Sequence, residues 1–480
     1  MEQLKQRGWM IASIIISGFL WFYANELSGH FGYLMWFAPI AVLLCAFKSK
    51  GKTAFLIGSL AYFIGKLSWY SYLVAVITIV PALLFMVILS LIFGLLLIAT
   101  RKIVIKTKAW YAVFAFPVFF TAFEFLLVKC SPDGSAGSIA YSQSNFLPII
   151  QVASITGILG ITFLVTLIPS AIATSWYFRN KKNKLRPVVS TAGFIILLVL
   201  LFGITRLSNN ANKQTIKVGL AVLDEQFHAI TNHPDFQKEK LALEHYTKQI
   251  AGLATQGAKI VVLPERAINI TKATQTEMLT AFSEAAKQNQ VFIITGYTNF
   301  TLDTTRNSAL VIDTNGNVVL QYNKVHLIKV LEDQFTIGNK IGLFNFGEFE
   351  AGTAICKDLD FPGYIKKYKS ISFLAIPAWD FGADSWLHSR MAILRGVENG
   401  FSEIRTARQG RLTISDCYGR ITSEADCSGG KGIALLGDLS LQRSNTLYAR
   451  LGDWFGLFNL IGAALFLLQL TKKENMTVVR

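Results

Sequence analysis

Long apolar stretches alternate with short basic segments over the first 206 residues, and one more apolar stretch lies near the C-terminus. An α-helix needs roughly 17 to 25 residues to cross about 30 Å of hydrocarbon. Runs of this length predict about eight transmembrane helices. The runs cover residues 9–25, 31–47, 53–73, 75–99, 109–128, 151–178, 190–206 and 454–470. Lys66 and Pro81 interrupt the third and fourth runs, where we expect a bend or a polar site.

Composition and charge fit this map. A chain of 480 residues that is 52% hydrophobic and 16% charged is not an ordinary soluble enzyme. Its net charge of +16 would suggest nucleic acid in a soluble protein, but 17 of its 46 basic residues lie on alternate connections between the apolar runs. These residues are Lys5, Arg7, Lys48, Lys50, Lys52, Arg101, Lys102, Lys106, Lys108, Arg179, Lys181, Lys182, Lys184, Arg186, Lys472, Lys473 and Arg480. We therefore expect a membrane protein and no nucleic-acid partner.

The positive-inside rule orients the chain if it crosses the membrane eight times and starts inside. Both termini are then cytoplasmic. The domains expected are a bundle of seven transmembrane helices at 1–206, an external domain at 207–450, and a final helix with a cytoplasmic tail at 451–480. A cleaved signal peptide is the alternative for the first run, and it is disfavoured because no small-residue cleavage site follows.

The external region changes to short β-rich runs that alternate with polar, helix-like segments. Strands are predicted at 216–223, 259–264, 291–297, 307–313, 318–323, 349–356 and 373–378, and helices at 235–256, 275–288 and 386–400. Val-, Ile- and Ala-rich strands with intervening helices predict a layered α/β domain. Such folds commonly place their chemistry at strand ends.

Three polar residues follow predicted strands: Glu265, Lys324 and Cys356. Taken singly, a glutamate after a strand is most often a solvated loop charge, and a cysteine there is most often a small core residue. Together they supply a thiol nucleophile, a carboxylate that accepts its proton, and a cation that stabilises an oxyanion. This combination predicts acyl transfer through a cysteine.

The segments LPE (263–265), YNK (322–324) and CKDLDFP (356–362) resemble the Glu–Lys–Cys motifs of the nitrilase, or carbon–nitrogen hydrolase, superfamily. Eight spans with such a domain before the last one resemble its membrane branch, the bacterial apolipoprotein N-acyltransferases. Residues 123–165 are similar to the membrane signature of that branch. The resemblance implies an αββα sandwich for the external domain.

The resemblance also implies roles for individual residues. Glu265 is the general base, Lys324 stabilises the oxyanion, and Cys356 carries the acyl group. Supporting roles fall to Glu332, to Asp358 and to the backbone N–H of Lys357. Phe236 in an early loop, Trp379 and His388 match positions near the substrate, although His388 packing on a helix that begins near Asp384 is the plainer interpretation.

The resemblance implies a two-step reaction in the bacterial inner membrane with the catalytic domain on its extracytoplasmic side. A phospholipid acylates Cys356, and the N-terminal amine of a diacylated apolipoprotein then takes the acyl chain. No cofactor and no metal are expected, and the chain is expected to act as a monomer.

The sequence departs from the branch at several positions. Lys357 stands where an aromatic residue is common, IKVLEDQF replaces PFGE while keeping Glu332, and TARQG (406–410) replaces an asparagine-rich segment. A membrane-anchored amidase that resolves the acyl-enzyme with water, or a non-catalytic scaffold, therefore remain as alternatives. Pairing between Cys417 and Cys427 also stays open.

Overall fold

The computed structural model of the chain describes residues 2–208, 214–228 and 234–471. Two compact units are present. The first comprises Met1–Cys130, Ser138–Ile204 and Asp453–Arg480, and the second comprises Ser131–Gly137 and Thr205–Gly452. The basic residues Lys472, Lys473 and Arg480 and the tail expected around them lie outside the described residues.

Sixteen α-helices occur in the described part of the chain. In chain order they are α1 (Glu2–Ala24), α2 (Ile40–Lys48), α3 (Gly51–Lys66), α4 (Tyr70–Ile77), α5 (Ile79–Thr107), α6 (Ala115–Cys130), α7 (Leu147–Ile150), α8 (Ala153–Thr156), α9 (Ile158–Tyr177), α10 (Lys182–Ser208), α11 (Phe236–Thr255), α12 (Gln275–Asn289), α13 (Pro362–Ile365), α14 (Ser385–Asn399), α15 (Leu447–Leu451) and α16 (Trp454–Thr471).

Seven helical segments among the described residues are long and apolar enough to cross a membrane. They account for every expected span except 31–47. There the chain forms a 3-10 turn (Gly32–Trp36) and then the nine-residue helix α2, which together make a shorter apolar segment. Pro39 lies immediately before α2, and its missing N–H and fixed φ favour the start of a new helix over continuation of the old one.

The expected irregularities at Lys66 and Pro81 are both present. Helix α3 ends at Lys66 and passes through a 3-10 turn into α4. Thr78, in a left-handed conformation with φ of 70°, separates α4 from α5. Pro81 then lies in the first turn of α5, where a helix has no need of its N–H. The bend therefore occurs just before the proline.

The buried charges of the first unit meet polar or aromatic partners. The Glu124 carboxylate accepts hydrogen bonds from the Ser138 hydroxyl (2.9 Å), the Ile139 backbone N–H (2.8 Å) and the Thr162 hydroxyl. The Lys66 ammonium lies 5.4 Å from the ring centroid of Tyr62. Polar groups in a membrane-spanning bundle are costly unless they are paired in this way.

The second unit contains thirteen strands among its described residues. They are β1 (Thr215–Val222), β2 (Ile260–Val262), β3 (Ile268–Thr271), β4 (Phe292–Phe300), β5 (Arg306–Ile312), β6 (Val318–Asn323), β7 (Gly342–Phe346), β8 (Phe349–Thr353), β9 (Phe373–Trp379), β10 (Ser402–Arg408), β11 (Arg411–Ser415), β12 (Ile421–Asp426) and β13 (Ile433–Ser440). All seven predicted strands are present, and β3, β7 and β10 to β13 were not predicted.

These strands form two sheets with a shared core. One has the order β13-β1-β2-β4-β5-β6, with β3 beside β4, and the other has the order β12-β11-β10-β9-β8-β7. Alternate residues such as Val218, Val262, Ala375 and Ile404 meet between the sheets. Helices α11 and α12 pack on the first sheet and α14 on the second. The αββα sandwich is thus confirmed.

Strand directions bring the expected site residues to one region. Strands β1, β2 and β4 are parallel, as are β8, β9 and β10. The carboxyl end of β2 leads to Glu265, that of β6 to Lys324 and that of β8 to Cys356. The carboxyl ends of parallel strands lie at one edge of the sandwich, so the residues that follow these strands can contact one another there.

Candidate active site

Cys356 begins a 3-10 turn (Cys356–Asp360) that follows strand β8. Its φ of 41° is left-handed, a conformation that costs an L-residue roughly 1–2 kcal/mol. The side chain is half-buried, and its Sγ lies 3.5 Å from the carbonyl oxygen of Trp379, which accepts a weak hydrogen bond from the thiol. Strained backbone of this kind is found where a side chain must be held in one direction.

Asp358 fastens this turn to the loop that carries Lys324. Its fully buried carboxylate accepts hydrogen bonds from the Ile355 N–H (3.1 Å), the Tyr322 hydroxyl (2.6 Å) and the His326 N–H (2.8 Å). Because these donors come from both segments, one side chain holds the nucleophile turn and the lysine loop together. Asp358 therefore contributes to the site by fixing the backbone of these two segments.

Lys324 lies between two carboxylates. Its Nζ donates to Glu265 Oε1 at 2.7 Å and to Glu332 Oε2 at 2.8 Å. Only 1% of the Lys324 side chain and 3% of the Glu265 side chain are exposed. Asn307 completes the group, since its Nδ2 donates to Glu265 Oε1 at 2.6 Å and to Glu332 Oε1 at 2.7 Å. The three ionised side chains carry a net charge of −1.

A glycine makes room for the backbone at Glu265. A Cβ on Gly296 of strand β4 would lie 2.6 Å from the Glu265 Cα and 2.5 Å from the Pro264 carbonyl oxygen. The Glu265 N–H also donates to the Ala378 carbonyl of β9 at 3.2 Å. The backbone at Glu265 is thus held against β4 of one sheet and β9 of the other.

The surroundings set the protonation states of this cluster. Burial acts to lower the pKa of Lys324, but the charges of Glu265 and Glu332 outweigh it and raise that pKa well above its usual value. Burial and then the charge of Glu265 raise the pKa of the Cys356 thiol well above its usual value, against the opposing effect of Lys324. The resting site therefore holds a neutral thiol beside a charged ammonium.

The side chain of Lys357 points to a different group of residues. Its Nζ lies 2.6 Å from Asp133 Oδ1 and 3.8 Å from Asp360 Oδ2. Ser135 donates its backbone N–H and its hydroxyl to the Asp360 carbonyl oxygen, both at 2.8 Å. The segment 131–137, which the chain inserts after α6, is therefore hydrogen-bonded to the nucleophile turn.

The three weaker candidates differ in their placement. Trp379 ends β9 and contacts Cys356 through its carbonyl group. His388 lies on α14, which begins at Ser385, and its Nδ1 is 3.0 Å from Asp384 Oδ2. Burial acts to lower the pKa of His388, but Asp384 and other acids raise it to about 9. Phe236 is 42% exposed at the start of α11, and none of the described contacts of the cluster includes it.

Several residues at the site were not predicted from the sequence. Besides Asn307, they include a buried ion pair in which Arg405 donates to both oxygens of Asp380, and a second pair of Arg408 with Glu225. Asn307 is the second residue of strand β5, so a polar residue just before an apolar run was a usable signal. The arginine pairs have no such signal, since their partners are distant in sequence.

The sequence left open whether Cys417 and Cys427 pair. Cys417 and Cys427 are both buried and form no disulfide with each other in the described part of the chain, and the Cys427 thiol donates to the Ala407 carbonyl at 3.0 Å.

Sequence comparisons agree with this fold. A model of the carbon–nitrogen hydrolase family matches residues 231–419. The second unit is thus that of the nitrilase, or carbon–nitrogen hydrolase, superfamily. A model of the apolipoprotein N-acyltransferase N-terminal domain matches residues 17–171. The chain belongs to the apolipoprotein N-acyltransferase family, the membrane branch of that superfamily, and is a multi-pass membrane protein.

Individual relatives have low sequence identity to this chain but align with it over a large part of its length. The apolipoprotein N-acyltransferase of Geobacter metallireducens is 25% identical over 90% of this chain and 89% of its own length. That of Thermotoga maritima is 26% identical over 76% of this chain and 71% of its own. Among solved structures, an amidase from Nesterenkonia sp. covers 51% of this chain and 95% of its own, with 16% identity and a TM-score of 0.42.

Proposed function

We propose that the protein transfers a fatty acyl chain from a phospholipid to the N-terminal amine of a diacylated apolipoprotein, through a thioester on Cys356. The proposal is carried by one observation, namely the buried Glu265–Lys324–Glu332 cluster beside a half-buried thiol. Family membership supports it, since the curated relatives named above are apolipoprotein N-acyltransferases.

In the first step the Cys356 sulfur attacks an ester carbonyl of the phospholipid while its proton passes to Glu265. The Lys324 ammonium stabilises the oxyanion, with the backbone N–H of Lys357 as a second donor. The ester C–O bond then breaks. Glu265 returns the proton to the leaving oxygen, and a lysophospholipid departs from the acylated Cys356.

In the second step the amine of the apolipoprotein attacks the thioester carbonyl. A new C–N bond forms and the C–S bond breaks, while Glu265 carries the proton lost by the amine to the departing sulfur. The thiol is restored and the product is an amide. Neither step requires a metal or a redox cofactor.

The substrates account for a membrane-spanning unit in the same chain. Moving an acyl chain from a bilayer into water costs about 0.8 kcal/mol per CH₂, and a site at the interface avoids this cost. Exposed apolar side chains occur on loops near the site, including Val330 (72% exposed), Leu331 and Phe381. We assign the catalytic domain to the extracytoplasmic side and both termini to the cytoplasm, from the distribution of basic residues and with the divided apolar segment at 31–47 counted as the eighth crossing.

We expect the detergent-purified full chain to gain the mass of one acyl group when it is incubated with a dioleoyl phospholipid. Neutral hydroxylamine should remove the group, because a thioester is labile to it. A diacylated lipopeptide added afterwards should become triacylated as the protein returns to its original mass. Intact-mass spectrometry measures each change.

The same experiment separates the proposal from its alternative. A folded protein that gains no acyl group from phospholipid would contradict the proposal. Release of ammonia from small amides without a lipid adduct would favour the anchored amidase, which CKDLDFP (356–362) leaves open. Unchanged complementation by a Cys356→Ala variant would instead indicate a scaffold.

We also expect Glu332→Gln to slow acyl-enzyme formation by at least about tenfold, or roughly 1.4 kcal/mol in barrier. The reason is that Lys324 loses one of its two carboxylate partners, so its position shifts toward Glu265. The pKa of Glu332 is itself lowered, since the Lys324 charge exceeds the opposing effect of burial. Initial rates of adduct formation measure the effect.

Asp333→Asn provides a matched control, because Asp333 is the exposed neighbour of Glu332 and accepts only a hydrogen bond from the Val330 N–H. Its rate should equal that of the wild type. If Glu332→Gln also keeps more than a tenth of the rate, Glu332 is a loop charge without a role in the reaction.

A further inference from the structure

The residue after Glu265 is an arginine whose guanidinium lies along the wall of the site. Its Cζ is 5.0 Å from the ring centroid of Phe335 and 5.4 Å from that of Trp379. Its Nε donates to the Thr298 hydroxyl at 3.1 Å. The φ of Arg266 is 51°, so its backbone, like that of Cys356, is held in a left-handed conformation. The guanidinium is therefore anchored at Nε and flanked by two aromatic rings.

Arg266 differs from the other arginines at the site. Arg405 is paired with Asp380, and Arg408 with Glu225. In residues 2–208, 214–228 and 234–471, the two terminal nitrogens of Arg266 have neither a hydrogen-bond acceptor nor an ion-pair partner. Because Nε is already bound, the two terminal nitrogens remain available as a pair of parallel donors. This geometry suits an anion that presents two oxygens.

A second guanidinium adds to the positive charge of this wall. The Arg408 Cζ lies 4.0 Å from the ring centroid of Trp379, so both arginines contact one indole. Arg408 is almost fully buried, and its NH1 has no partner in the described residues. Glu225 is paired with Arg408 and not with Arg266. The terminal nitrogens of Arg266 therefore remain available to a bound anion.

We propose that Arg266 binds the phosphodiester of the acyl donor and so places the donor ester at Cys356. The inference rests on the proposed function and adds a residue that selects for phosphate. The position of Arg266 supports this proposal. Trp379, whose ring flanks the Arg266 guanidinium, also contacts the Cys356 sulfur through its carbonyl oxygen. A phospholipid has its phosphate within a few bonds of its acyl esters, so both groups reach the site together.

A different role would place Arg266 as a counter-charge for Glu265 and Glu332, whose charges act to raise its pKa while burial lowers it. The two roles predict different donor dependence. A counter-charge affects the reaction with every acyl donor, whereas a phosphate-binding residue affects only donors that carry phosphate.

The test compares two donors with identical acyl chains, dioleoyl phosphatidylethanolamine and dioleoylglycerol, at equal mole fraction in detergent micelles. Initial rates of Cys356 acylation by the full chain are measured by intact mass. Arg266→Gln should lose roughly 10- to 100-fold with the phospholipid and less than about threefold with dioleoylglycerol. Arg266→Lys, which keeps the charge but not the fork, should lie between the wild type and Arg266→Gln with the phospholipid.

Arg443→Gln is the matched control, because Arg443 is exposed and its guanidinium contacts only the Lys369 carbonyl oxygen, at 3.5 Å. Its rates with both donors should be those of the wild type. Equal losses of Arg266→Gln with both donors, or no loss with either, would overturn the inference while leaving the proposed function intact. A wild-type protein that phospholipid cannot acylate would overturn both.

Discussion

Replacing Lys324 with methionine should lower the rate of acyl-enzyme formation by at least about 1,000-fold. The ammonium is the charged donor of the cluster, it is almost completely buried, and the two carboxylates keep its pKa well above the usual value. Methionine fills similar space without a charge, so the oxyanion loses its main stabilisation. Intact-mass measurement of the adduct, with phospholipid as donor, gives the rate.

The same substitution should change the response of stability to pH. In the wild type, the lowered pKa of Glu332 contributes stability that is lost as the pH falls through that lowered value. Without Lys324, Glu265 and Glu332 face each other as buried like charges, so at least one pKa rises. The variant should therefore be destabilised by about 3–5 kcal/mol near neutral pH and should recover stability as the pH is lowered.

A double variant, Lys324→Met with Glu332→Gln, separates stability from chemistry. Removing one carboxylate relieves the repulsion, so thermal unfolding should return toward that of the wild type while acylation stays absent. Acyl-enzyme formation by the double variant at more than about a tenth of the wild-type rate would contradict the assignment of Lys324 to the oxyanion.

Cys356→Ser should likewise remove acyl-enzyme formation, by more than about 1,000-fold. A hydroxyl is harder to ionise than a thiol, and burial together with the charge of Glu265 already opposes ionisation at this position. No mass adduct should form with phospholipid, and none should form with the lipopeptide present. An adduct on the serine variant that resists neutral hydroxylamine would show that ionisation is not the obstacle.

Backbone strain provides the control for folding at Cys356. Because φ at this position is 41°, Cys356→Gly should be more stable than Cys356→Ala by about 1 kcal/mol, although both lack the thiol. Chemical denaturation of the two variants measures the difference. Equal stability would show that the left-handed conformation carries no cost in this turn.

Hydrophobic periodicity predicted most of the membrane-spanning helices, because a helix in lipid must bury about 20 apolar residues in one run. At 31–47 it predicted one continuous helix, whereas the run is divided at Pro39 into a 3-10 turn and helix α2. Local backbone constraints decide such cases. The number of apolar residues in a run does not reveal these backbone constraints.

Strand prediction succeeded for apolar runs such as β2 and β9 and failed at β10, which carries charged side chains. Strand β10 (Ser402–Arg408) is fully buried, yet it contains Glu403, Arg405 and Arg408, so its composition does not indicate a strand. Its two arginines are paired within the fold, Arg405 with Asp380, a residue 25 positions away, and Arg408 with Glu225. Compensation at that distance requires the tertiary structure.

The principal site residues followed from chemistry and resemblance, because Glu265, Lys324 and Cys356 each come after a recognisable strand. The supporting contacts did not. Asn307 bridges two carboxylates from strand β5, and Asp133 reaches Lys357 from a segment between membrane helices. Neither contact leaves a spacing signal in the chain.

In the proposed reaction, the buried cluster activates the thiol without exchange of a proton with bulk water. When the proton of Cys356 moves to Glu265, one negative charge appears on sulfur and one disappears from the carboxylate, so the total charge of the cavity is unchanged. Solvent counterions are then unnecessary, which suits a reaction in an environment of low dielectric constant. The attack on the donor should proceed at a constant rate over the pH range in which Glu265, Lys324 and Glu332 all keep their charges, and should show little dependence on salt.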